Sequence, residues 1–129
     1  MTTPNVSELL LVDSSGWLEY LSQDSKADEF APYLEGRTPI IVPTIVLYEV
    51  YKKLRMSRGK NEADQFAFQA LRREVVSLEE GLALAAANAS VEWRLGMADA
   101  IIYATAQALG AELVTSDQHF QGLPGVTLL

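Results

Sequence analysis

Short, unbroken apolar runs alternate along this chain with longer stretches in which apolar residues return every three or four positions. Leu9-Leu-Leu-Val12, followed by Asp13-Ser-Ser-Gly16, predicts a buried strand that stops at a turn or helix N-terminus. Trp17, Leu18 and Leu21 then recur at helical spacing, and a second helix is expected over Ala27 to Leu34, bounded by Gly36. Pro39-Ile-Ile-Val42 predicts a second strand. Pro43 and Thr44 open a long helix, with Thr44 as its cap and Leu47, Tyr51 and Leu54 on one face. Gly59 breaks it, and Asn61 to Arg73 carries Phe66, Ala70 and Arg73 at helical spacing, so a helical pair is expected. Val75-Val-Ser77 reads as a minimal strand, and Glu79 to Trp93 as an Ala-rich helix with Leu82, Leu84 and Ala86 on its apolar surface. Met97 to Leu109 predicts another helix, closed by Gly110 as a left-handed cap. Glu112-Leu-Val-Thr115 and Val126-Thr-Leu128 are the last strands.

Compact strands alternating with helices indicate an α/β fold with a parallel sheet covered on both faces. No internal repeat and no Pro-, Gly- or Ser-rich linker divides the chain, so residues 1–129 are expected to form a single domain. With 49% apolar residues the chain can fill one core. The absence of cysteine excludes a disulfide framework, a thiolate zinc site, an iron-sulfur cluster and a Cys nucleophile. It also suits a reducing cytoplasm. The first eight residues hold an acid and no basic segment, unlike a secretory signal, and no apolar run approaches the ~20 residues that span a bilayer. A soluble, cytoplasmic protein without membrane contact is expected. The net charge of -7 opposes general affinity for nucleic acid. Half of the basic residues, however, fall in one stretch, Lys52, Lys53, Arg55, Arg58 and Lys60, which allows a local patch or a solvated helix face.

Four carboxylates change the picture. Asp13 and Asp117 follow the predicted strands directly, at their carboxyl ends, where ligands bind in open α/β sheets. Glu49 is the only charged residue between Arg37 and Lys52, and Asp99 the only one between Arg94 and Glu112. Singly, Asp13 and Asp117 also read as turn residues or N-caps, Asp99 as a first-turn acid, and Glu49 as a surface partner of Lys52 or Lys53. Jointly, converging carboxylates resist ionisation unless a positive charge sits among them, and no His, Cys or run of Arg is expected to be available near these positions. Oxygen-only donors suit Mg²⁺ or Mn²⁺ and phosphodiester chemistry.

Leu10-Leu-Val-Asp13-Ser-Ser-Gly-Trp, Pro43-Thr-Ile-Val-Leu-Tyr-Glu49-Val, Gly96-Met-Ala-Asp99-Ala-Ile-Ile-Tyr and Leu113-Val-Thr-Ser-Asp117-Gln-His-Phe resemble, in order and spacing, the motifs of PIN-domain ribonucleases. The likeness is to the VapC-type toxins of toxin-antitoxin pairs, and it spans essentially the whole chain. It implies an α/β/α sandwich around a mainly parallel sheet of four to five strands. It also implies a Mg²⁺- or Mn²⁺-dependent endoribonuclease acting as the toxin of a type II toxin-antitoxin system, an RNA substrate, a cognate antitoxin and a homodimer. By position, Asp13 and Asp99 match the acids most directly associated with metal. Glu49 matches a third that binds metal or orients water, and Asp117 a fourth, in a Thr-x-Asp pattern where Thr115 supplies a hydroxyl.

His119, the only histidine, reads as a partly exposed turn residue that metal-assisted hydrolysis does not need. Trp17, Trp93 and Arg94 fit either RNA contact or a core or subunit contact. Two rival functions keep the same residues. One is a non-catalytic interaction module of this fold; the other is an Asp-based phosphotransfer protein using Asp13. Ser15 stands where the latter would carry a second Asp, and no lysine follows Lys60.

Overall fold

The computed structural model describes residues 8–129. Five strands, β1 (Leu10–Val12), β2 (Ile40–Pro43), β3 (Glu74–Val76), β4 (Glu112–Thr115) and β5 (Val126–Leu128), form one sheet. Its order is β3-β2-β1-β4-β5 and every neighbouring pair is parallel. Between the strands lie α1 (Ser14–Leu21), α2 (Ala27–Glu35), α3 (Thr44–Ser57), α4 (Lys60–Ala70), α5 (Glu80–Trp93) and α6 (Met97–Leu109). A 3₁₀ turn, Gln118–Phe120, leads from β4 toward β5. The expected α/β class and parallel sheet are thus present, with all five strands parallel.

The inner strands are apolar throughout because helices cover both faces: β1 and β2 are buried along their whole length, as are Leu113, Val114 and Thr115 of β4. From β1 the chain steps outward to β2 and β3, then returns past β1 to β4 and β5. The winding therefore reverses between β1 and β4, and a crevice opens at their carboxyl ends.

Local chemistry sets most element boundaries. Gly110 takes a left-handed φ of 67° after Leu109 and ends α6 where expected. Gly16 lets α1 lie against β1 and α2, since a Cβ there would stand 2.5 Å from the Phe30 ring and 2.7 Å from Val12 Cγ1. Trp17 belongs to the core, edge-on to Phe66 at 5.5 Å.

Several expectations need correction. Thr44 is the first helical residue of α3 and not its cap; Pro43 occupies that position and makes no side-chain capping bond. The buried stripe of α3 is Val46, Val50 and Leu54, while Leu47 and Tyr51 are half-buried, and the Tyr51 hydroxyl donates to Asp64 Oδ1 at 2.7 Å. α4 stops at Ala70, before the expected Arg73, because the chain must turn to enter β3 at Glu74. Leu84 is 69% exposed; α5 rests on α6 through the small residues Ala86 and Ala89 instead. Among the described residues no helix is long and apolar enough to cross a membrane.

Candidate functional site

Asp13 ends β1 and caps α1. Its φ of -60° and ψ of 158° place Oδ1 to accept from Ser14 N at 2.8 Å, so the N-cap reading holds. The same carboxylate does more than cap. Its Oδ2 accepts from Thr115 Oγ1 at 2.7 Å, at the end of β4, and from Ser15 Oγ at 3.1 Å. Thr115 Oγ1 in turn accepts from Asp117 N at 3.0 Å, so one hydroxyl aligns the exits of both central strands. Asp117 caps the 3₁₀ turn by accepting from His119 N at 2.9 Å.

The other two acids arrive on helices. Glu49, in the second turn of α3, accepts from Ser14 Oγ at 2.6 Å, which ties α3 to the start of α1. It makes no ion pair with Lys52 or Lys53, contrary to the surface-pair alternative. Asp99 lies in the first turn of α6, whose N-cap, Gly96, has no side chain to offer. All four carboxylates therefore border one mouth at the carboxyl end of the sheet.

Electrostatics show how closely they crowd. Asp13 is 4% exposed, and burial pushes its pKa up to about 6, against the opposing pull of its hydrogen bonds from Thr115, Ser15 and Ser14, with the Asp99 charge adding to the rise. Asp99 also lies above the ordinary carboxylate value, first through burial, then through the nearby charge of Asp117; His119 opposes this, and Glu49 adds to it. Asp99 thus raises the cost of ionising Asp13, and Asp117 and Glu49 that of ionising Asp99.

The His119 side chain is 76% exposed, as expected of a turn residue. Yet its Nδ1 lies 3.3 Å from Asp99 Oδ2 and 3.2 Å from Asp117 Oδ1. The expectation that no imidazole stands among the carboxylates is corrected. Asp99, Asp117 and His119 each offer a donor atom within 4.8 Å of the others, a spacing that fits a metal ion. The donor chemistry fits as well: carboxylate oxygens dominate, two of the acids are held above their ordinary pKa, and Asp13 Oδ1 keeps a lone pair beyond the one given to Ser14 N. Ser14 and Ser15 were not singled out from the sequence as functional; the signal available was their place directly after a strand-terminal Asp.

The architecture matches several solved structures. A toxin-antitoxin complex from Klebsiella pneumoniae contains a chain 24% identical to this one, with a TM-score of 0.78 over 92% of this chain and 95% of that one. VapC20 from Mycobacterium tuberculosis, described as a toxin that cleaves the sarcin-ricin loop, is 20% identical, with a TM-score of 0.75 over 91% and 96%. VapBC2 from Rickettsia felis, bound to a fragment of its promoter DNA, gives 19%, 0.72, and 94% and 97%. At these identities the likeness is one of fold. No curated relative matches in sequence. A family model described as PIN domain matches residues 10–126, from the start of β1 to the first residue of β5, and the chain therefore belongs to the PIN domain family.

Proposed function

We propose that this chain is a VapC-type toxin, a divalent-metal-dependent endoribonuclease that acts in the cytoplasm as one domain and is restrained by a cognate antitoxin. The observation that carries the reading is the convergence of Asp13, Glu49, Asp99 and Asp117 on the β1/β4 crevice, where burial and then the Asp99 charge raise the pKa of Asp13, and burial and then the charges of Asp117 and Glu49 raise that of Asp99. Membership of the PIN family supports it, as do structural neighbours from a toxin-antitoxin complex and a toxin described as cleaving the sarcin-ricin loop.

In this reading Asp13, Asp99 and Asp117 hold the cation, Mg²⁺ or Mn²⁺, and Glu49 completes the site. Such an ion polarises a phosphodiester oxygen and lowers the pKa of water. Glu49 Oε1 is fixed by Ser14 Oγ, which leaves Oε2 to accept a proton from the attacking water. Thr115 keeps Asp13 and the Asp117 backbone in register across the crevice. The exposed apolar side chains Leu84, Val91 and Met97 support pairing into a homodimer.

The test is hydrolysis of a structured RNA by purified protein with Mn²⁺ or Mg²⁺ and with EDTA. Cleavage is expected only with metal and is expected to fall at least about a hundredfold in Asp99→Asn, the order lost when one charge-stabilising group leaves an active site. Equal cleavage in EDTA, or by Asp13→Asn, would overturn the reading. A second reading, a non-catalytic module, draws on the fact that both Asp13 oxygens already serve protein donors. Calorimetry with Mn²⁺ separates the two, since a scaffold has no reason to bind it at millimolar concentration.

A further inference from the structure

Half of the basic residues of a net-acidic chain lie between Lys52 and Lys60, and the structure divides them. Arg58 pairs with Glu62 at 3.5 Å and Lys60 with Asp64 at 2.6 Å. Lys52, Lys53 and Arg55 join no ion pair among the described residues. Lys52 Nζ sits instead 3.4 Å from the Tyr48 hydroxyl and 5.6 Å from the centre of its ring. Tyr48 is 59% exposed and directly precedes Glu49, which borders the acidic crevice.

Helix geometry arranges these groups. At about 100° per residue, Lys52 lies between Tyr48 and Glu49 around α3, about 40° from the former and about 60° from the latter. Arg55 lies about 20° to the other side of Tyr48. Tyr48, Lys52 and Arg55 therefore make a strip of about 10 Å along the axis, leading away from Glu49.

We propose that this strip is the track along which single-stranded RNA enters the site, with a base stacked on Tyr48 and the flanking phosphates taken by Lys52 and Arg55. The inference rests on the ribonuclease reading above. A chain of charge -7 with clustered carboxylates repels a polyanion, so the cations that admit it must stand close to the acids and must not be neutralised by them. An exposed ring beside those cations selects an unpaired base, since a duplex hides its base faces in the stack. An acidic polypeptide would use Lys52 and Arg55 but has no need of the ring.

The experiment measures binding of a fluorescein-labelled single-stranded RNA, the same sequence as a duplex, and polyglutamate, in EDTA over a salt series, with sedimentation to follow oligomeric mass. Tyr48→Ala is expected to weaken single-strand binding roughly 5- to 150-fold with little change in salt slope, the range of one lost base stack. The Lys52→Gln/Arg55→Gln double variant is expected to lower the slope of log K against log salt by about 1.4, two phosphate contacts on a single strand. Unchanged affinity and slope in both variants would overturn the track. So would loss of polyglutamate binding with RNA binding intact, or a changed oligomeric mass in Tyr48→Ala. If the wild type cleaves RNA with metal while the variants bind it normally, the track fails alone; if the wild type with metal cleaves no RNA, the ribonuclease reading fails first.

Discussion

A carboxyl group whose pKa rises from 3.8 to about 6 on folding, as that of Asp13 does, binds its proton more tightly in the native state than in the unfolded chain. Its contribution to stability is fully present below about 3.8 and is lost as pH rises through about 6. At 1.36 kcal/mol per unit, the difference is about 3 kcal/mol. Asp13→Asn removes that burden, so in EDTA at pH 7.5 the variant is expected to gain about 1–3 kcal/mol in urea unfolding, and the gain should shrink steadily below pH 6. Lower stability at both extremes would mean that the hydrogen bonds from Thr115 and Ser15 outweigh the cost of the charge. The candidate acids were legible because Asp13 and Asp117 directly follow apolar strands while Glu49 and Asp99 are each the only charge in a long apolar stretch. The place of His119 was not, since its contact with Asp99 spans twenty positions and depends on how α6 and β4 pack. Its nearest local signal was the Asp117 two residues before it.

At the scale of elements, the attachment of α1 governs the site, because Asp13 caps that helix and Ser14 holds Glu49. Gly16 sets the distance. Gly16→Ala would improve helix propensity by up to about 1 kcal/mol, but its methyl group would press into Phe30 and Val12, both buried in the core. Overpacking of that kind costs about 1–3 kcal/mol, so urea unfolding is expected to give a net loss of about 1–2 kcal/mol. A gain in stability would show that α1 can shift freely. Elements with local punctuation were legible: α6 and β5 fall where the sequence places them, between Gly96 and Gly110 and after Pro124-Gly125. The start of α3 and the inner face of α5 were less so. Thr44 is a good capping residue in general, but the turn out of β2 puts Pro43 in that position. Leucine is the more apolar residue, but the buried positions of α5 are Ala86 and Ala89, and Leu84 stays exposed.

For the whole molecule, the crowding of four acids in one crevice predicts that a bound dication stabilises the fold. A ligand that binds only the native state adds about 2.7 kcal/mol at a hundredfold excess over its Kd. Addition of Mn²⁺ is therefore expected to raise Tm by several degrees at pH 7.5 and by much less at pH 5, where protons compete for Asp13 and Asp99. An Asp99→Asn/Asp117→Asn double variant should show no metal-dependent shift in the same scan. Sequence alone established the alternation of strands and helices, the burial of the inner strands and the presence of an acid just past two of them. These follow from periodicity and composition, which act over a few neighbouring residues. It did not establish that β4 lies directly beside β1, which brings Asp117 and Thr115 to Asp13. Nor did it reveal that His119 bends back to Asp99. Those arrangements are settled by which apolar faces bury one another across long stretches of chain, and no local pattern carries that energy.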